Sequence, residues 1–376
     1  MDLEQFLQAG GADLAALVEQ VDATVSIEPG DYLLVVGSLV EGLGTTRSDL
    51  DLLLITSRPE DRLPGEEEKA LVAGRCLADV RILPRTELDA LLARLDAWRR
   101  QPWDLRHAVR FSQAERVLLH RLLHGPLVAH GADADPGAVP RPAGQAVARL
   151  KLHVARHLAR TVQVDMAGHR DGEDAASLVY AAQDLLGHAV DALTAAHGLT
   201  NPNPKWRGRL LRELPGDWQA PLGIRPTGES AQDAVWRLHR APERPEMAAA
   251  LGHALRITAF TRAVVLWAER RLVRRHPAPP LAGTWPARNG GAPLPHLDLD
   301  VDVVPGDGGG AQAARLNAFG TPLQLSPREL ALALLFDGAT TPNEAEAAVC
   351  GAAGAHGNGP AHALASRFSA ANLSLS

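Results

Sequence analysis

The chain has little cysteine, little lysine and no excess of positive charge. Cysteine occurs twice in 376 residues, as Cys76 and Cys350, too few for a disulfide framework or a cysteine zinc site. Lysine occurs three times, as Lys69, Lys151 and Lys205, and arginine supplies the other 35 of the 38 basic residues. So strong a bias draws attention to each lysine, since a compact ammonium and a planar guanidinium meet a phosphate differently. The net charge of −6 removes the global electrostatic case for long nucleic acid as a partner. No apolar run reaches the ~20 residues that a membrane span needs. The first residues are acidic and lack a basic stretch followed by an apolar core, so no signal peptide is predicted and the cytoplasm is the expected compartment. What is present is a hydrophobic content of 46%, enough for ordinary cores, in a chain long enough for two or three domains.

The most informative segment runs from Leu33 to Ile55. An apolar run, Leu33 to Val36, meets the small pair Gly37-Ser38. Eleven residues after Ser38 comes Asp49-Leu50-Asp51, continuing into Leu52 to Ile55. Two strands joined by a turn are predicted, with Asp49 and Asp51 on one face because residues i and i+2 of a strand point the same way. The segment Cys76 to Leu83 is predicted to be a third strand, carrying Asp79 alongside them. Carboxylates inside apolar strands are costly to bury without a positive partner, and three oxygen donors at one edge suit Mg²⁺. Gly37 would let the backbone approach a phosphate closely. Ser38 adds a hydroxyl and an N–H, at a helix N-terminus if a helix opens there.

The glycine-serine turn, the spaced acidic pair and the later acid resemble the nucleotidyltransferase superfamily with the DNA polymerase β-type palm, and most closely its small prokaryotic branch, which includes antibiotic nucleotidyltransferases. The motif part of the likeness covers about residues 30–85. The resemblance implies transfer of a nucleoside monophosphate, AMP from ATP being the expected case, to a hydroxyl of a small molecule or peptide, with release of pyrophosphate. It implies Mg²⁺ or Mn²⁺ as cofactor. Asp49, Asp51 and Asp79 would be metal ligands, Asp79 alternatively the base near the nucleophile. Gly37 and Ser38 would hold the triphosphate, with Arg47 beside the acidic pair. The alternative is a non-catalytic binding or regulatory protein, antitoxin-like, on the same fold. A second acidic run, Leu297 to Val303, carries Asp298, Asp300 and Asp302 in strict alternation with apolar residues. It lacks a glycine-serine turn and reads as a half-buried strand with one wet face.

The expected fold class is α+β: a small mixed-sheet palm, an all-α bundle and a small C-terminal α/β unit. The expected boundaries are 1–135 for the catalytic domain, 144–276 for a helical, acceptor-binding bundle, 277–296 for a linker, 297–350 for the small unit and 351–376 for a disordered tail. Helices are predicted over 2–22, with Gly10-Gly11 as a break, from about Thr86 to Arg100, and over 112–126, 146–166, 173–197 and 246–275. Residues 57–75 read as a charged connection. With strands followed by two short helices and the phrase Leu325-Ser326 … Asp337-Gly338-Ala339-Thr340, the small unit is also similar, over a short stretch, to PqqD-like peptide-binding modules, which implies a peptide partner; a plain helical cap or winged-helix remnant is the structural alternative.

Lys205, in Thr200 to Trp206 just after a helix, is a candidate phosphate ligand, against a surface lysine beside a packing tryptophan. Glu173, Asp174, Asp184 and Asp191 are candidate bases in the helical region, none singled out by spacing. His120 and His124 stand four apart on a helix, which suits zinc, but lack a third ligand and read as structural. Arg271 and His276 read as basic groups at a helix C-terminus, where the dipole favours them.

Overall fold

The structure, a computed structural model, describes residues 1–58, 68–100, 110–244, 246–274, 285, 290–306, 310–316, 321–350 and 359–375. It is α+β, with a mixed five-stranded sheet, a helical region and a small antiparallel sheet. The chain divides into two compact units, Met1–Val147 with Asn201–Trp206, and Ala148–Thr200 with Arg207–Ser376.

In the first unit, helices α1 (Leu3–Gly10) and α2 (Leu14–Val25) are separated at Gly11, whose positive φ of 63° ends α1. Strands β1 (Tyr32–Val36) and β2 (Leu50–Thr56) follow, then the hairpin β3 (Glu68–Ala73) and β4 (Cys76–Pro84). Helices α3 (Arg85–Arg100) and α4 (Gln113–His124) precede β5 (Leu127–His130). The sheet order is β3-β4-β2-β1-β5, with β2 and β4 parallel and the other pairs antiparallel. Part of the expected charged connection is therefore strand β3, paired residue for residue with β4. Its alternating Lys69, Leu71 and Ala73 are too short and mixed a pattern to stand out beside Glu66 to Glu68.

One face of the sheet is apolar throughout. Leu33, Val35, Leu50, Leu52, Leu54, Ala78, Val80 and Ile82 pack with Phe6, Leu7, Leu17, Val21 and Val25 from α1 and α2. Each of the larger side chains contributes roughly 1.5–3 kcal/mol by leaving water. This face fixes the register, because a slip of one residue would bring Asp51 and Asp79 into the core. On the other side α3 packs against β4 and α4 against β1.

The second unit is built on α5 (Gly144–Asp171, continuing from the first unit), α6 (Ala175–Ala196), α7 (Ala231–His239) and α8 (Met247–Glu269). Alanines 182, 189, 192, 195 and 196 of α6 and 250 and 254 of α8 are buried in one core, and small residues let two helix backbones approach. The helical stretch Met247–Val273 is long and apolar enough to cross a membrane, but 67% of its apolar window is buried, as in a core helix.

Strands β6 (Val301–Pro305), β7 (Ala311–Arg315) and β8 (Leu323–Leu325) form the second sheet, followed by α9 (Pro327–Ala333), α10 (Pro342–Cys350) and α11 (Pro360–Ala370). Their core includes Ala263 and Leu266 of α8, and Phe336 meets Phe368 edge to face with ring centroids 4.9 Å apart.

Two expectations need correcting here. The tail after 351 is not disordered over 359–375, because Ala361, Leu364 and Phe368 give α11 a buried stripe at helical spacing and Leu373 is buried after it. The acidic run 297–303 enters its strand only at Val301; before that, Leu297 pairs with Ser374 and the Asp298 amide donates to the Leu373 carbonyl. Of the expected linker, 277–284 and 286–289 lie outside the described residues, as does His276. Leu294 at its end is buried, and its amide donates to the Thr340 carbonyl at 2.8 Å.

Candidate functional site

The parallel pairing of β2 and β4 sets the site. Asp51 lies directly beside Asp79, and Val36 lies on the other side of Asp51 in β1. Register partners in neighbouring strands point to the same face, about 4.8 Å apart, so the two aspartates share the face opposite the apolar core. Asp49 sits one residue before β2, exposed and outside the ladder. It is close enough for its charge to act on Asp51. Like charges side by side disfavour each other's ionisation. Burial is the largest influence on Asp51 and pushes its carboxyl above the ordinary value; Arg121 pulls it down, while Asp79 and Asp49 push it further up.

Gly37 closes the site from β1. Its φ is +85°, and a Cβ built there would overlap the Asp51 carboxylate, lying 2.9 Å from its Cγ. Only glycine meets both conditions. Ser38 does not open a helix. A single turn follows, in which the Gly42 amide donates to the Leu39 carbonyl and the Leu43 amide to the Ser38 carbonyl, and Gly42 at φ +69° ends it. The phosphate-binding potential of this segment therefore rests on turn amides and the Ser38 hydroxyl.

Sequence reasoning missed Arg121, in the last turn of α4. Its Nη2 donates to Asp51 Oδ1 at 2.8 Å, with both side chains a little under one-third exposed. The signal was Arg121's position three residues after the buried Leu118, on the inner side of a stripe completed by Leu119 and Leu122. The helix end that carries it is fixed by Arg141, whose guanidinium donates to the carbonyls of Leu122 and Gly125, each at 2.7 Å. Gly125 lies tightly against β1, its hypothetical Cβ 2.8 Å from the Val35 carbonyl oxygen. His120 makes its own contact: Nε2 lies 2.8 Å from Glu41 Oε1. Glu41 also accepts from Asn201 Nδ2 at 3.0 Å. His120 and His124 touch as rings, 4.8 Å between centroids, so the pair serves the Glu41 network and the ring contact.

Lys205 belongs to the segment Asn201–Trp206 of the first unit. Asn201 anchors that segment to Glu41, and the Pro202 carbonyl accepts from Gln113 Nε2. Lys205 itself is exposed, with Nζ 4.9 Å from the centre of the Trp206 ring. Arg47 lies in the exposed turn Thr45–Ser48, where its amide donates to Thr45 Oγ1. The structure thus brings Gly37, Asp51 and Asp79 together with Arg121, sets Asp49 at the rim, and leaves Arg47 and Lys205 exposed without a contact to the aspartates. Among the acids considered as bases, Asp191 is held by both Nε and Nη2 of Arg207 and Asp174 caps α6.

Among the described residues no three His, Cys, Asp or Glu side chains are set to hold a metal ion. The oxygen chemistry and common face of Asp51 and Asp79, with Asp49 at the rim, fit a hard divalent cation, although Asp51 is turned to Arg121. Among the described residues neither Asp49 nor Asp79 has an ion-pair partner. The chain matches no family model and no curated protein.

Proposed function

We propose that the first unit is a Mg²⁺-dependent nucleotidyltransferase acting in the cytoplasm. One observation carries this reading: three aspartates at one end of a sheet, Asp51 lying against a glycine-only turn, have among the described residues a single guanidinium as counter-charge. Such a site has an unmet demand for positive charge and a backbone cradle for negative charge next to it. Metal with nucleoside triphosphate satisfies both.

In this reading Asp51 and Asp79 hold the metal with Asp49 at the rim. The metal, when bound, supplies charge neutralisation and orients phosphate oxygens. Turn amides at Gly37-Ser38 bind the triphosphate, and Lys205 and Arg47 are the exposed cations available to its outer phosphates. The acceptor hydroxyl oxygen bonds to the α-phosphorus as the bond from that phosphorus to the bridging oxygen breaks. Pyrophosphate leaves with the bond electrons, and the hydroxyl proton passes to a carboxylate of the set, Asp79 being the strand-borne one that Arg121 does not hold. The acceptor is a hydroxylated small molecule or a peptide. The test is incubation with α-labelled ATP, Mg²⁺ and cell extract. Labelled product and pyrophosphate are expected, with at least about a hundredfold loss in Asp51→Asn and Asp79→Asn proteins of unchanged circular dichroism. Nucleotide binding with no pyrophosphate release would replace this reading with a non-catalytic, regulatory one.

A further inference from the structure

Asp51 offers its two carboxylate oxygens unequally. Oδ1 accepts from Arg121, while Oδ2 lies on the Gly37 side, in the space a Cβ would take. A cation approaching this carboxylate meets a guanidinium already in place on one side and the backbone of the β1 turn on the other. The end of α4 that carries Arg121 is tied in place, with Arg141 donating to its carbonyls and Gly125 close against β1, so release of Asp51 falls to the Arg121 side chain. That side chain is 27% exposed, and Asp51 is its one ion-pair partner among the described residues. A guanidinium presents five donors in a planar fork, and a phosphate takes two of them at once.

We propose that Arg121 is a resting-state lock on the metal site: it occupies Asp51 until the phosphates of an incoming nucleotide take the guanidinium, so that metal and nucleotide load together. This rests on the nucleotidyltransferase reading and adds an order of events to it. Metal alone must displace a cation from Asp51 and then sit beside it. Metal arriving with a triphosphate brings the anion that receives Arg121.

The test is Mn²⁺ binding to nucleotide-free protein, read as loss of the free-ion electron paramagnetic resonance signal. Arg121→Gln should tighten Mn²⁺ binding about tenfold, the scale on which groups touching a metal ligand act. Arg121→Lys, which keeps the charge, should stay near wild type, and adding Asp51→Asn to Arg121→Gln should abolish the gain. A merely structural role for Arg121 would weaken binding, not tighten it. Unchanged or weaker Mn²⁺ binding in Arg121→Gln overturns the lock. If wild type still transfers label from α-labelled ATP, the functional reading survives that result. If wild type neither transfers label nor binds Mn²⁺ with ATP present, the reading itself falls and the lock with it.

Discussion

The molecule carries two acidic runs of the same spelling, and they are treated in opposite ways. Asp298, Asp300 and Asp302 of the second unit are closed by arginines. Asp298 receives Arg170 and Arg315, Asp300 receives Arg315, and Asp302 receives Arg160. Behind them Arg262, buried, donates to the carbonyls of Val301 and Asp298 at 2.9 and 2.6 Å. Burial pulls that guanidinium down to about 10, still charged at neutral pH, with the three aspartates holding it up. Three carboxylates thus face four guanidinia. In the first unit, among the described residues, Arg121 is the one guanidinium bonded to the set Asp49, Asp51 and Asp79, through Asp51. A closed set of charges needs nothing further and serves to hold strands and helices together. An open set costs stability in the free protein, and a cost of that kind persists where a ligand removes it.

The comparison breaks most visibly at Asp298. Asp298 is 2% exposed, and removing one member of a buried ion pair leaves its partners' charge uncompensated. Asp298→Ala should destabilise the second unit by about 3 kcal/mol and lower its Tm by about 10 °C in a thermal scan. If Asp298→Ala melts like wild type, the second run is not a structural clasp.

His153 sharpens the same contrast. It is 2% exposed, and burial, with Arg156 and Arg149 adding to it, pushes its imidazole down to about 4. The second unit thus keeps it neutral at pH 7. Its folded pKa lies below the unfolded value near 6.5, so between those values the unfolded chain binds the extra proton. Stability is full above about pH 6.5 and is lost as pH falls towards 4, by about 3 kcal/mol for this group. Urea unfolding at pH 7, 5 and 4 should show the decline, and His153→Gln should flatten it; an equal slope in the variant assigns the acid sensitivity to other groups.

Much of this was legible in the sequence and some was not. The alternation Asp49-Leu50-Asp51 against Leu77-Ala78-Asp79-Val80 places each acid opposite a core residue, so both faces of β2 and β4 followed from a period of two. The helices of the second unit were visible as apolar stripes, Leu178 to Leu193 among them, and Ser326 to Glu329 announced its capping box. Partners across the fold were not visible. Arg121 is seventy residues from Asp51, and Arg170 is more than a hundred from Asp298. Nothing local distinguishes a cation that meets a carboxylate from one that meets water. The same limit hid the difference between the two acidic runs, since what separates them is the number of arginines brought in from elsewhere. β3 and α11 were missed for another reason: both are short, and neighbouring charges or small residues mask their patterns.

Gly37 has no counterpart in the second run, and replacing it tests whether the first is shaped for a ligand. Gly37→Ala forces a side chain into the left-handed region and into the Asp51 carboxylate. It should cost about 2 kcal/mol in urea unfolding and displace Asp51, weakening nucleotide binding more than stability. If it binds Mg²⁺ and ATP like wild type in calorimetry, the turn is not part of the site.

The smallest effect is the most decisive in sign. Burial raises the Asp51 carboxyl above 3.8 even with Arg121 bonded to it. Above its folded pKa the ionised group therefore costs the folded state something that the unfolded chain does not bear. Asp51→Asn removes that cost while keeping a hydrogen-bond acceptor for Arg121, so at pH 7 it should raise stability slightly. The gain should shrink as pH falls through the folded pKa, where wild-type Asp51 takes up its proton, and vanish below the unfolded one. Asp298→Asn, in the closed run, should move Tm the other way. Opposite signs for the same chemical change would mark one aspartate as kept for a ligand and the other for the fold. A fall in Tm for Asp51→Asn of the size seen at Asp298 would make the two runs alike and leave Arg121 as a clasp of the same kind as Arg170 and Arg315.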